Sequence, residues 1–282
     1  MRKYSAISTA LGLIAFSLAG CSAGNKSTSP KVDAQQEYQA LRPAIDSMVI
    51  GVLDYLSTGT DYLEDFQPGG FSSPRLGRLV HDADTGLTFN YVYQNGWHIV
   101  EAMMELDSLS FAIAESLRFT DVLGTPQEEP DSATTTALRM ITHLTFTSEF
   151  HIMNGTLGDH VDFNFIGFQS PTITADGTGR FGMELSGTDS VGAYSVDLSS
   201  ALNVDHVTIG NPYQGGNGCP RAGTADLHLE GSFSGHDDEG TVVSGTANAS
   251  VTVSFHLSGS ADVTADVGGM QFSESVNACP SR

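Results

Sequence analysis

The strictest pattern in the sequence is an alternation of apolar and polar residues that runs from Val243 to Leu257. From Ala247 onward every second residue is apolar, and small polar side chains such as Ser250 and Thr252 lie between them. Because successive side chains of a β-strand point to opposite faces, this stretch predicts a strand with one buried and one solvated face. Such strands are typical of antiparallel sheets.

Shorter runs with the same period recur from Leu87 onward. Their apolar members are Leu87, Phe89, Tyr91 and Tyr93; Leu109, Phe111 and Ile113; Leu138, Met140, Leu144, Phe146, Phe150 and Ile152; Val161, Phe163 and Phe165; Phe181, Met183 and Leu185; Tyr194, Val196 and Leu198; and Leu227, Leu229 and Phe233. Asn95-Gly96 is the strongest short signal for a two-residue hairpin. The sequence therefore predicts a mainly β fold, a curved or closed antiparallel meander of about 10–12 strands.

Ahead of the strands, the apolar period changes to that of a helix. Steps of three and four residues join Tyr38, Leu41, Ile45, Met48, Val49, Val52 and Leu56. Pro43 predicts either a kink or a helix that begins near residue 43. Gly59 and the cluster Pro68-Gly69-Gly70 predict where the segment ends. We expect one N-terminal amphipathic helix, packed on the sheet.

The first 21 residues have the three regions of an export signal. A basic start is followed by an apolar run of about 13 residues, which is shorter than a membrane-spanning helix. Leu18-Ala19-Gly20-Cys21 closes the segment and resembles the lipobox of bacterial lipoproteins. The resemblance covers these residues alone, and it implies cleavage before Cys21, a lipid on Cys21 and attachment to the membrane of the cell envelope. Ser22 stands where an aspartate would retain such a protein in the inner membrane, so the resemblance implies the outer membrane.

The domain organisation follows from these segments. Residues 1–20 are expected to be the signal peptide, and residues 21–32 a flexible tether, because this stretch holds too little apolar surface to fold. We expect residues 33–282 to form a single, mostly β domain, with a weak candidate boundary near residues 124–136.

The charge of the chain is one-sided. All 33 acidic residues of the sequence lie after residue 31, where they face 8 arginines and no lysine, so residues 32–282 carry a formal charge of 8 − 33 = −25. Nucleic acid is therefore not an expected partner, because binding phosphates requires a patch of lysine or arginine. The acidic surface is explained by solubility or, alternatively, by a cationic partner such as Ca²⁺.

Two cysteines remain once Cys21 is assigned to the lipid. Cys219 and Cys279 are the only pair in an exported domain, where disulfides form and persist. We expect a disulfide between them, with a paired metal thiolate as the lesser alternative.

Motifs of catalytic or nucleotide-binding chemistry are missing from the sequence. It holds no Gly-x-Ser-x-Gly elbow, no Gly-x-x-x-x-Gly-Lys loop and no closely spaced histidines. We therefore predict no catalytic, cofactor-binding or metal-ligating residue. His143, His151, His228 and His256 are expected to face solvent from their strands. The acidic turns at residues 82–86 and 236–240 are weak candidates for a Ca²⁺ site.

Three classes of function fit these features. The first is a non-catalytic envelope lipoprotein that binds an apolar ligand or lipid inside a curved sheet, an architecture that resembles in outline the open-barrel lipoprotein carriers. The second is a structural or adhesive surface module that recognises an envelope partner. The third is an envelope hydrolase, which a pair of histidines or carboxylates in a pocket would favour. An apolar cavity above roughly 300 Å³ between helix and sheet would favour the carrier, and a filled core the surface module.

Overall fold

Eleven antiparallel strands form one continuous sheet in which each strand pairs with the strands next to it in sequence. The structure, a computed structural model, describes residues 34–67, 70–71, 87–150, 153–188, 192–236 and 242–279. The predicted signal, Cys21, the tether, the turn at residues 82–86, His151 and residues 237–240 lie outside this part of the chain.

The elements follow one another in a simple order. They are α1 (Ala34–Asp65), β1 (Phe66–Gln67), β2 (Gly70–Phe71), β3 (Leu87–Gln94), β4 (Trp97–Leu106), β5 (Leu109–Thr120), β6 (Ala137–Phe150), β7 (Met153–Ile166), β8 (Thr172–Thr188), β9 (Ala193–Gly210), a 3₁₀ turn (Pro212–Gln214), β10 (Pro220–His236), β11 (Val242–Phe255), β12 (Ser260–Val267) and β13 (Met270–Asn277). The prediction of a mainly β, antiparallel meander with one N-terminal helix is confirmed, and the sheet is open, with β3 and β13 as its edges. The short strands β1 and β2 pair separately.

The hairpin between β3 and β4 has the turn that its sequence predicts. Asn95 has a φ of 54° and Gly96 a φ of 80°, so both central residues are left-handed. This conformation fits a two-residue turn whose twist matches that of the flanking strands.

Helix α1 covers the whole of the helical pattern and continues past Gly59. It begins at Ala34, nine residues before Pro43, so the alternative of a start near residue 43 is wrong. It also continues through Gly59 and ends at Asp65, ahead of the Pro68-Gly69-Gly70 cluster. No helix in the described residues is both long and apolar enough to cross a membrane.

The apolar stripe of α1 packs across one face of the sheet, which we call the helix face. Near its start, Tyr38 stacks on Phe272 of β13 with ring centroids 4.0 Å apart. Further along, Tyr55 meets Phe163 of β7 edge-on at 5.9 Å. The helix therefore lies across the strands, and the core between helix and sheet is filled by fully buried side chains. The largest are Tyr62, Phe119, Phe163, Phe165, Phe168, Ile45, Leu56, Leu117, Leu138, Met140 and Ile173.

Two carboxylates interrupt the apolar helix face, and each accepts a hydrogen bond from a helix tyrosine. The Tyr62 hydroxyl donates to Oε1 of the fully buried Glu115 at 2.6 Å. The Tyr55 hydroxyl donates to Asp159 Oδ2. Such bonds satisfy carboxyl groups that apolar neighbours would not solvate, so they fix the position of α1 along the sheet.

Cys219 and Cys279 form the predicted disulfide, and their Cα atoms are 4.6 Å apart. Cys219 directly precedes β10, and Cys279 follows β13 by one residue after Ala278. The bridge therefore connects the two ends of a four-strand segment, β10 to β13, at one end of the sheet.

Candidate functional site

A groove lies on the face of the sheet opposite α1, which we call the helix-free face. Phe163 and Phe165 of β7 are fully buried on the helix face, so His160 and Asp162, at the alternate positions, point the other way. The groove crosses β6 to β10 near the middle of the sheet and has a volume of about 560 Å³. This size lies within the range of ligand sites, although the groove is open to solvent.

The floor of the groove is formed by small residues in one cross-strand row. Thr145, Gly158, Gly182 and Ser199 lie opposite one another on β6, β7, β8 and β9. A Cβ atom added to Gly158 or Gly182 would meet nothing within 4 Å. These two glycines are therefore not required by packing, and their lack of side chains leaves the backbone open to a ligand.

One wall of the groove is a row of cationic or protonatable side chains. His143 of β6 lies directly opposite His160 of β7, and His160 lies directly opposite Arg180 of β8. The imidazole centroids of His143 and His160 are 4.1 Å apart. Alanines lie at the next positions on both sides, Ala114 on β5 and Ala201 on β9. The row therefore places a guanidinium and two imidazoles on neighbouring strands without a carboxylate among them.

Arg180 differs from the other described arginines because it makes no hydrogen bond, ion pair or cation–π contact within the described residues. The other four are engaged: Arg42 with Glu274, Arg139 with Asp162, Arg221 with Asn217, and Arg118 over the ring of Trp97. The hydrogen bonds from Arg139 hold the pKa of Asp162 below its usual range, so that carboxylate is already occupied. Arg180 is thus an exposed guanidinium at the groove with no carboxylate partner in this part of the chain.

The other end of the groove carries a hydrogen-bond acceptor. His228 Nε2 donates to Glu230 Oε1 at 2.8 Å, and His228 Nδ1 lies 3.2 Å from the Ser250 hydroxyl. A serine, a histidine and a carboxylate in contact also occur in hydrolases. Here, however, the three residues lie within continuous strand pairs whose backbone N–H groups bond to neighbouring strands, so no oxyanion hole faces Ser250.

The space between α1 and the sheet offers less room. A pocket beside the helix, lined in part by Ile50, Leu53 and Cys279, has a volume of about 250 Å³. This volume is below the roughly 300 Å³ at which ligand pockets begin. By the criterion set from the sequence, the described interior favours a filled core over an apolar cavity.

A second polar cluster lies where β8 and β9 shift register. The ligand atoms of Asp176, Asp205 and His206 lie within 4.8 Å of one another. The hydrogen bond with Asp205, followed by the charge of Asp176, raises the pKa of His206. The two carboxylates favour the protonated imidazole of His206 and pair with it. We therefore do not assign the cluster to a metal.

Among the histidines that the structure describes, His98 is buried, which the sequence pattern did not indicate. His98 Nε2 donates to the carbonyl of Gln127 at 2.9 Å, so Nδ1 accepts from the Tyr91 hydroxyl at 2.9 Å. Burial lowers the pKa of His98, which agrees with this neutral tautomer. His98 therefore links the loop between β5 and β6 to the edge of the sheet, a structural task.

The structure places the sequence-predicted histidines on the solvated face and brings two of them to the groove. His143, His228 and His256 are exposed, as the strand pattern predicts, and His143 and His228 line the groove. His160 and Arg180, which complete the row, were not singled out from the sequence. The lipidation of Cys21 and the two Ca²⁺ candidates stay predictions, since residues 21, 82–86 and 237–240 lie outside the described part.

No protein-family model matches the chain, and neither a curated protein nor a solved structure shows significant similarity to it.

Proposed function

We propose that the chain is a lipid-anchored protein of the bacterial envelope that binds a ligand, without catalysis, in the groove on the helix-free face. The observation that carries this proposal is the cross-strand row His143, His160 and Arg180 beside a floor of small residues, two of them glycines. The guanidinium of Arg180 has no carboxylate partner in this row, and an anionic ligand would supply one.

The proposal favours a binding surface over an apolar carrier. A lipid carrier needs an enclosed, mostly apolar cavity, whereas the pocket beside α1 is small and the core around it is filled. The helix-free groove is open to solvent and has ionisable side chains such as Arg180 and Glu230 in its lining, which suits a hydrated ligand or partner. This function combines the lipid-anchored binding protein and the surface module that the sequence left open.

The contacts of the groove support binding without chemistry. Acyl transfer requires an activated nucleophile next to oriented N–H donors. His143 and His160 contact each other, and neither makes a hydrogen bond to a hydroxyl or carboxylate within the described residues. The pair by itself therefore favours ion recognition over hydrolysis.

Membrane attachment through Cys21 is tested by the substitution Cys21→Ser. We expect the native chain to fractionate with membranes and to take up a radiolabelled fatty acid, because several acyl chains hold a protein firmly. The variant should lose the label and the membrane association. Cys279→Ser is the control, since it removes a cysteine far from the lipobox and should keep both. A Cys21→Ser protein that remains labelled and membrane-bound would refute the anchor.

A further inference from the structure

We infer that the ligand of the helix-free groove is a sugar acid, a saccharide that carries a carboxylate. This inference rests on the proposed function and names the ligand class of the same groove. It is drawn from the uneven distribution of charge along the groove, from the groove's length and from the nature of its floor.

The part of the groove over β6, β7 and β8 is cationic. His143, His160 and Arg180 lie side by side on three neighbouring strands, with alanines beyond them on both sides. Arg180 offers the planar donors that fit an oxyanion in two-point contact. Within the described part of the chain, His160 Nδ1 has no hydrogen-bond partner, so one ring nitrogen of the row is left without a hydrogen bond. An apolar ligand would desolvate these groups without replacing their bonds, so an oxyanion is the better match.

The opposite end of the groove, over β10, carries a carboxylate and would repel a uniformly anionic ligand. Glu230 lies directly opposite Ser199, whose hydroxyl belongs to the floor, and Glu230 is held by His228. A carboxylate accepts hydrogen bonds and cannot donate them. Groups that donate to it are therefore expected here, and sugar hydroxyls are such groups. The groove thus distinguishes an acid with hydroxyls from a polyphosphate or a nucleic acid.

The groove is also long. From β6 to β10 it crosses four strand spacings, about 19 Å in all. A single inorganic ion would occupy only a fraction of that length, whereas a short saccharide would span it. The bare peptide surface at Gly158 and Gly182 allows a ring to lie flat against the sheet.

The acidic surface of the chain does not prevent this binding. Charges separated by more than about 8 Å are largely screened at physiological ionic strength. Glu184 and Asp197, which lie opposite each other one row beyond the floor, are four residues along their strands from the row of Arg180, a spacing of about 13 Å. Asp162 of β7 is already paired with Arg139. Affinity is expected to be moderate and to weaken as salt is added.

Titration calorimetry of the full chain in a mild detergent tests the inference with three probes. Maltotrionate, the aldonic acid of maltotriose, is the sugar acid with one carboxylate at one end, maltotriose is the neutral saccharide and inorganic phosphate is the bare anion. We expect maltotrionate to bind at least about tenfold more tightly than either of the others, because only it satisfies both ends of the groove. The substitution Arg180→Gln should weaken its binding by about tenfold or more. Arg221→Gln removes the same charge away from the groove and should leave binding unchanged.

Each other outcome would overturn the inference. Equal binding of maltotriose would show that no anion is required, and phosphate binding as tightly as maltotrionate would show that no saccharide is required. Unchanged affinity in Arg180→Gln, or no binding of maltotrionate at all, would also reject it. The proposed function is tested separately from the ligand class. If a ligand of another class binds, and Arg180→Gln weakens its binding, the groove remains the binding site although the sugar acid is wrong.

Discussion

Reduction of the disulfide between Cys219 and Cys279 is expected to lower the free energy of unfolding by about 4 kcal/mol, the chain-entropy value for a closed loop of this length. The bridge closes a loop across 60 residues of sequence separation, which contains β10 to β13. Without it, the last four strands and the C-terminus gain conformational freedom in the unfolded chain. Urea unfolding with and without dithiothreitol, followed by circular dichroism, measures the difference.

The double variant Cys219→Ser/Cys279→Ser is the control for the reductant. It should unfold at the same urea concentration with and without dithiothreitol, close to the midpoint of the reduced native chain. A native chain whose midpoint does not move on reduction would contradict the stabilising role of the bridge. A midpoint that moves equally in the double variant would assign the effect to the reductant itself.

Gly59→Ala is expected to destabilise the protein by about 1–3 kcal/mol, although alanine is the better helix former. Gly59 is buried where α1 crosses β7, and a Cβ atom there would lie 2.0 Å from Cζ of Phe165. Phe165 is itself fully buried, so its ring has little room to move. Accommodating the methyl group would therefore push the helix away from the sheet.

Gly51→Ala is the matched substitution in the same helix. A Cβ atom at Gly51 meets nothing within 4 Å, so helix propensity alone should decide the outcome. We expect this variant to be more stable than the native chain by up to about 1 kcal/mol. Opposite shifts of the two urea midpoints support the docking of α1 on β7. Two stabilising substitutions would show that Gly59 does not contact the sheet.

The strands could be predicted from the sequence because one face of the sheet is buried and the other solvated. In β11 every apolar residue from Ala247 to Phe255 faces the core, so the burial period and the sequence period coincide. The end of α1 could not be predicted in the same way. A glycine ordinarily terminates a helix, but here the close approach of Phe165 requires Gly59 within the helix.

The sequence does contain a signal for the fixed position of α1. Glu115 occupies a core position in the run Ile113, Glu115 and Leu117, and Asp159 occupies one between Leu157 and Val161. A carboxylate in register with buried residues requires a partner. The partners, Tyr62 and Tyr55, lie far away in sequence, so a single strand cannot reveal them.

The groove could be predicted only in part, because it depends on strand register. That His143 and His228 face solvent follows from alternation within their own strands. That His143, His160 and Arg180 stand in one row follows from pairing across three strands, and a shift of one residue would send one of them to the opposite face. Neither the composition nor the spacing of the histidines contains that information.

The most direct test of the account is the location of maltotrionate on the protein, followed through the imidazole NMR signals of the full chain. Each signal is assigned by a histidine-to-glutamine substitution. We predict that the signals of His143 and His160 shift on titration, whereas that of His256, which is held by Asp262 elsewhere on the helix-free face, stays in place. Shifts confined to His98, or no shift of His143 and His160 at saturating ligand, would contradict a binding site in the groove.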